Sequence, residues 1–160
     1  MSLGTPSALG AEPAAMKDDL YHQAILDLAR QATDHGRLET PQMSVRVDNP
    51  LCGDRVTLDL DMADGRVGAV RHQVRGCLLC QAAAAVIGAR APGQSAAALR
   101  ENAERLRRLI VDGAGAADGA AIDDMWPELA AFAPVHRHKS RHDCVLLPFT
   151  ALGRALEQAG

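Results

Sequence analysis

Leu20, Ala24, Leu28 and Ala32 recur every four residues, the spacing of one helix face, with Asp18 and Asp19 placed for its first turn. Gly36 suits the position just after that helix. The period then changes. Met43 to Val47 alternates in the manner of a strand, and after a break at Asn49-Pro50 the apolar Val56, Leu58, Leu60 and Met62 alternate with Arg55, Thr57, Asp59 and Asp61. Ala63-Asp64-Gly65 marks a turn, and Arg66 to Val74 reads as the returning strand. Beyond Cys77 the chain is dense in alanine, which suits a helix packed close to a sheet. Ser95 is placed to cap a further helix to about Asp112, with Leu99, Leu106 and Ile110 on one side and Glu101, Arg105 and Arg108 on the other. Asp112 to Gly119 reads as a loop, Ile122 to Phe132 as a short segment interrupted by Pro127, and His136 to His142 as a basic, irregular stretch. A last helix is predicted from about Val145 to Gln158, with Pro148 in its first turn. One helix, three strands and then helices predict an α+β sandwich whose three-stranded antiparallel sheet is covered on one face.

The length of 160 residues allows one domain, read as a flexible lead over 1–16 and a folded unit over 17–160. Aromatic residues make up only 2%, so the core must be aliphatic, with Trp126, Phe132 and Phe149 as its few large anchors. A net charge of −3 argues against nucleic acid or an anionic membrane as the main partner. The longest uncharged apolar run, Cys77 to Ala89, is too short to span a bilayer. No basic region followed by an apolar block opens the chain, so a cytoplasmic location is expected. Thiols stay reduced there, and four cysteines read as ligands or reactive groups rather than as disulfides.

Three of those cysteines sit at junctions between elements. Cys52 lies in the turn Asn49-Pro50-Leu51-Cys52-Gly53-Asp54, where its thiol and the Asp54 carboxylate can bend toward one point. Two such groups repel unless a cation lies between them. Cys77 follows Gly76 and opens a helix, whose unpaired N–H groups favour thiolate. Cys80 is one turn further on, roughly on the same face. Cys144 again just precedes a predicted helix. Structural cysteines are expected within elements rather than at their ends, so three junction cysteines point to shared chemistry. Three thiolates and a carboxylate make a competent tetrahedral zinc set. On this chemistry alone Cys80 is an equal claimant, and a Cys77/Cys80 dithiol oxidoreductase is a further reading. His136, His138 and His142, set among Arg137, Lys139 and Arg141, read as a solvated basic loop, and His22, His35 and His72 as surface or packing residues.

Taken together, Asn49-Pro50-Leu51-Cys52-Gly53-Asp54, Gly76-Cys77, and Arg141-x-x-Cys144 followed by Leu147 and Ala151-Leu152 resemble the NifU/IscU family of iron–sulfur cluster assembly proteins. The resemblance spans roughly residues 18–158. The long step from Cys77 to Cys144 resembles the branch called SufU. It implies a small α+β sandwich with its cysteines gathered at one end, and four metal ligands: Cys52, Asp54, Cys77 and Cys144. In the SufU-type branch these residues look like a zinc site, and the protein accepts persulfide sulfur from a cysteine desulfurase. In the compact branch the same positions hold a nascent [2Fe–2S] cluster for downstream assembly proteins or apo acceptors. The chain is thereby expected to be either a sulfurtransferase-like acceptor, with Cys52 receiving the sulfur, or a non-enzymatic scaffold. Cys80 stands where relatives usually carry a small residue such as Ser, which makes it the alternative fourth ligand. Asp143 stands before Cys144 where the compact scaffolds have a histidine.

Overall fold

The computed structural model describes the backbone of residues 13–20 and the whole of residues 21–31, 35–51, 53–113 and 126–159. Helix α1 spans Pro13–Arg30. It starts earlier than the periodicity predicts, because Pro13 is preset for a first helical turn and Ala14 and Ala15 propagate it. Residues 13–16 of the expected lead are therefore helical, and Asp18 and Asp19 lie past the first turn. Residues 1–12 lie outside the described residues. The buried face of α1 centres on Ile25, with Tyr21, Leu28 and Ala29 packed against the core beside it.

The sheet is as predicted. Strands β1 (Met43–Asn49), β2 (Asp54–Ala63) and β3 (Arg66–Arg75) pair antiparallel in the order β1-β2-β3. The β2–β3 hairpin turns through Asp64 (φ 55°) and Gly65 (φ 77°), two positive φ values in sequence, as a two-residue hairpin turn demands. The inner face carries Val45, Val47, Val56, Leu58, Leu60 and Val70, all buried. Helix α2 (Leu78–Arg90) packs on β3, and helix α4 (His142–Ala159) covers β1 and β2. Residues Ala82 to Gly88 of α2 are all buried, and the small side chains of Ala82 to Ala85 let α1, α4 and the sheet close around it.

Helix α3 (Ala96–Arg107) begins where expected, with Ser95 Oγ accepting from the Ala98 N–H at 3.2 Å. It passes into a π-helical turn, Arg108–Asp112, closed by Gly113 in the left-handed region (φ 70°). Residues 114–125, which hold most of the predicted loop and the start of the Ile122–Phe132 segment, lie outside the described residues. The chain is described again at Trp126, whose N–H donates to Asn102 Oδ1 of α3 at 2.8 Å. The described part of the Ile122–Phe132 segment opens a run of 3₁₀ turns, Pro127–Arg137. The stretch His136–His142, predicted to be irregular, is instead the end of that run and a second one, Lys139–Arg141. The second leads straight into α4, which therefore starts at His142 rather than Val145. Pro148 thus falls inside the helix and not in its first turn. The lost ladder bond is offset by burial of Val145, Phe149, Leu152 and Leu156 along the same helix.

Residues 35–42, ahead of β1, cross the outer face of the sheet as a strap. It starts at the β3 edge, where the Gly36 N–H donates to the His72 carbonyl at 2.6 Å, and ends at β1. Asp59 holds it down. Its fully buried side chain accepts from Arg37 Nε (2.7 Å), the Leu38 N–H (3.0 Å) and Ser44 Oγ (2.7 Å). Burial alone pushes this carboxyl upward, but the hydrogen bonds from Arg37, Ser44 and Leu38 outweigh it and hold Asp59 below the usual carboxylate range. The stability it adds is whole above its unfolded value of about 3.9 and is lost as pH falls through the lowered one. Arg37 is half exposed and regains water when its partner is removed, so Asp59→Ala is expected to cost about 2 kcal/mol rather than the larger cost of stranding a buried cation. Urea unfolding at pH 7 measures this, and the gap between variant and parent should narrow on acidification toward pH 3.

Candidate metal centre

The site grows from two tight backbone features. In the turn between β1 and β2, the Leu51 N–H donates to Asn49 Oδ1 at 3.0 Å and the Gly53 N–H to the Asn49 carbonyl at 2.8 Å. Gly53 has φ 76°, a left-handed value that an L side chain rarely adopts. The turn delivers Asp54 to the first position of β2, paired with Asn49 and facing inward like Val56 and Leu58. At the other end of the site, β3 gives way to α2 through Gly76 and Cys77. Cys77 is the N-cap residue, extended at φ −72°, ψ 169°, and its sulfur makes no capping bond. The sulfur lies 3.4 Å from Asp54 Oδ2 instead, while the Cys77 N–H donates to Asp54 Oδ1 at 3.2 Å. A carboxylate seated on N–H groups at a helix start is favoured by the helix's own charge distribution.

Cys144, in the first turn of α4, comes to the same point from the third side. Ligand atoms of Asp54, Cys77 and Cys144 all lie within 4.8 Å of one another. Asp54 and Cys144 are buried and Cys77 is half-buried. In a zinc tetrahedron with bonds of about 2.3 Å to sulfur and 2.0 Å to oxygen, a sulfur–oxygen edge is about 3.5 Å. The Cys77–Asp54 separation matches that edge, and Cys144 lies close enough for the three donors to suit a thiolate-binding metal ion.

Cys80 does not join this group. It is fully buried in the hydrophobic core, within α2, and no described cysteine is in a disulfide. Cys52 lies outside the described residues; its neighbours Leu51 and Gly53 are both exposed. None of His136, His138 and His142 is part of the cluster among the described residues. His136 Nδ1 instead meets the Ile110 carbonyl at 2.8 Å, His142 Nε2 meets the His136 carbonyl at 3.0 Å, and the two rings stack with centroids 6.4 Å apart.

Tyr21 escapes notice in the sequence, because it lies far along the chain from every cysteine. It lines a cleft of about 390 Å³ with Leu78, His138 and Arg141, beside Cys77. Burial, helped by the charge of Cys77, pushes its phenol above the ordinary value, against the opposite pull of Arg141.

Sheet, helices and centre together define a small α+β protein built around one thiolate–carboxylate site at the junction of strands and helices. Residues 20–118 match the family described as the NifU-like N terminal domain. The chain belongs to that family. It is 26% identical over 140 residues to the iron–sulfur cluster assembly scaffold protein IscU of Thermotoga maritima, covering 87% of this chain and 94% of the relative. It is equally 26% identical over 147 residues to the zinc-dependent sulfurtransferase SufU of Bacillus subtilis, covering 89% and 95%. The crystal structure of the N-terminal part of a NifU-like protein from Brucella abortus superposes with a TM-score of 0.78 at 32% identity, covering 89% of this chain and 96% of that one. Cys144 lies beyond the stretch matched by the family model, and the structural likeness extends over nearly the whole chain.

Gly76 makes the Asp54–Cys77 contact possible. A Cβ at residue 76 would sit 2.6 Å from both Asp54 Cγ and Oδ1, and 2.9 Å from Asp54 Cβ. Asp54 is short and buried, so it cannot swing clear. Gly76→Ala is expected to cost about 1–3 kcal/mol, as overpacking does. It should also part Asp54 from Cys77, read as at least tenfold weaker binding of added zinc in competition with a coloured chelator. Urea unfolding measures the first effect separately.

Proposed function

We propose that this chain serves iron–sulfur cluster assembly as a zinc-bound acceptor of persulfide sulfur from a cysteine desulfurase. The observation that carries the reading is the convergence of Asp54, Cys77 and Cys144 within 4.8 Å, two of them buried, at one end of the sheet. Cys52 completes the proposed ligand set as the fourth donor and is the residue assigned to receive sulfur. Zinc, when bound, keeps the cysteine sulfurs deprotonated yet unreactive until one ligand is exchanged. The turn carrying Cys52 suits that exchange. Its flank Leu51 is 89% exposed and its other flank is a glycine, whereas Cys144 is packed into a helix start.

In the transfer, the Cys52 thiolate attacks the terminal sulfur of the desulfurase persulfide. A new sulfur–sulfur bond forms at Cys52, the bond within the donor persulfide breaks, and the desulfurase cysteine leaves as thiolate. No external oxidant or reductant is needed. The half-buried Cys77 and the buried Asp54 and Cys144 stay in place and hold the site's shape during the exchange. The names of both curated relatives are compatible with this ligand set, one as a cluster scaffold and one as a zinc-dependent sulfurtransferase. The SufU-like length between Cys77 and Cys144 favours the second.

Elemental analysis should find one zinc per chain in the purified protein. With a cysteine desulfurase and free cysteine, mass spectrometry should find sulfur added to the parent chain and to Cys80→Ala, and none on Cys52→Ala. Undiminished uptake by Cys52→Ala would sink the acceptor role. Anaerobic reconstitution with iron and sulfide should leave the protein colourless and zinc-loaded. A stable visible chromophore with stoichiometric iron would move the assignment to a cluster scaffold.

A further inference from the structure

The outer face of the sheet carries a feature that the metal centre does not use. Beside the strap is an open groove of about 970 Å³ lined by Arg37, Arg46, Arg55 and Arg75 together with Thr57 and Gln73. No carboxylate lines it among the described residues. This is unexpected on a chain whose net charge is −3. The strand register explains how the cations gather. Arg46 stands opposite Thr57, which stands opposite Gln73, and on the next outward-facing rung Arg55 stands directly opposite Arg75. Like charges directly opposite on neighbouring strands are destabilising. Asp48 relieves part of the repulsion through Arg55 at 2.6 Å and, more distantly, Arg46 at 3.7 Å. Arg37 is held by Asp59 at 2.7 Å. Arg75 has no ion pair among the described residues. Gln81 closes the end nearest the metal centre, its amide donating to the Gly76 carbonyl at 3.1 Å.

We propose that this groove binds an extended acidic peptide segment of a partner protein. Guanidinium groups pair carboxylates in a planar, two-bonded geometry. The Arg46 and Arg55 rungs are two residues apart along the sheet, about 7 Å, which is also the repeat of alternate side chains in an extended chain. Carboxylates at every second position of such a segment therefore meet successive rungs. Thr57 and Gln73, between the arginines, offer hydrogen bonds to its backbone. A lone phosphate spans too little of the groove to meet arginines on the strap and on two rungs at once. The inference is independent of which metal the cysteines hold.

The test is titration of the full ¹⁵N-labelled chain with a decapeptide alternating Glu and Gly, followed by amide shifts. Amides of Arg46, Thr57, Gln73 and Arg75 should move along one saturating curve, and the affinity should fall as salt is raised. Arg46→Glu with Arg75→Glu should weaken binding at least tenfold. Arg154→Glu, on the exposed side of α4, should change it less than twofold. Should the double charge reversal unfold the chain, Arg75→Gln serves in its place. That change removes one side of the Arg55–Arg75 repulsion, so the fold is kept and binding should drop about threefold. Scattered shifts, no saturation, equal binding of a Gln/Gly decapeptide, or unchanged affinity in the groove variants would each overturn the proposal. So would pyrophosphate saturating the same amides more tightly than the peptide, which would assign the groove to a polyphosphate.

Discussion

Asp54 and Gly76 approach so closely that no side chain fits between them, and the geometry of the centre follows from that contact. The carboxylate stands at the start of β2 and Gly76 at the exit of β3, two ends that the antiparallel register brings level: Arg55 is opposite Arg75, and the residues just beyond them are Asp54 and Gly76. With only hydrogen at residue 76, the carboxylate reaches the N–H and the sulfur of Cys77 together. One group thereby does two jobs. It satisfies a helix N-terminus and it places an oxygen beside a sulfur at the spacing of metal ligands. Cys144 needs only the packing of α4 across β1 and β2 to arrive at the same point.

The sheet in turn has two faces with different chemistry. Inside, valines and leucines meet α2 and α4 in a core short of aromatic rings, where Phe132 is the largest fully buried side chain. Outside, polar contacts take over. Asp59 lies buried on that face because the strap crosses above it and supplies two donors, Arg37 and the Leu38 N–H, with Ser44 of β1 as the third. The strap covers the middle of the outer face and leaves the rungs nearest the metal centre open, and there the arginines collect.

Alternation of apolar and polar residues makes the three strands legible in the sequence, and the β2–β3 turn with them. Alanine density does the same for α2, and Ser95 for the start of α3. The convergence of Cys77, Cys144 and Asp54 is legible as chemistry, since each stands at a junction, but the choice between Asp54 and Cys80 is not. A spacing of three residues puts Cys80 on roughly the face of Cys77; only the packing around α2 reveals that this face turns into the core at Cys80. The start of α4 is hidden because Pro148 suggests a first turn, whereas tertiary burial carries the helix past it. Tyr21 and the arginine groove have no local signal at all. Both depend on residues distant in sequence meeting across elements, and the groove depends on a register that hydrophobic alternation constrains without showing which charges become neighbours.

Consecutive residues on a strand point to opposite faces, and this joins the two surfaces. Asp54 turns inward to Cys77 while Arg55, the next residue, turns outward into the groove; Arg75 faces the groove while Gly76 and Cys77 lead to the centre. The candidate metal centre and the basic groove are therefore back to back at one end of the sheet, separated by the thickness of a single strand layer. A segment seated on Arg55 and Arg75 would bear on the same strand ends that position Asp54 and Gly76. The two sites then share the ends of β2 and β3, which carry Asp54 and lead to Cys77 on one side and carry Arg55 and Arg75 on the other. No Cβ fits between Asp54 and Gly76, so the carboxylate and the two strand ends pack as one unit with the start of α2.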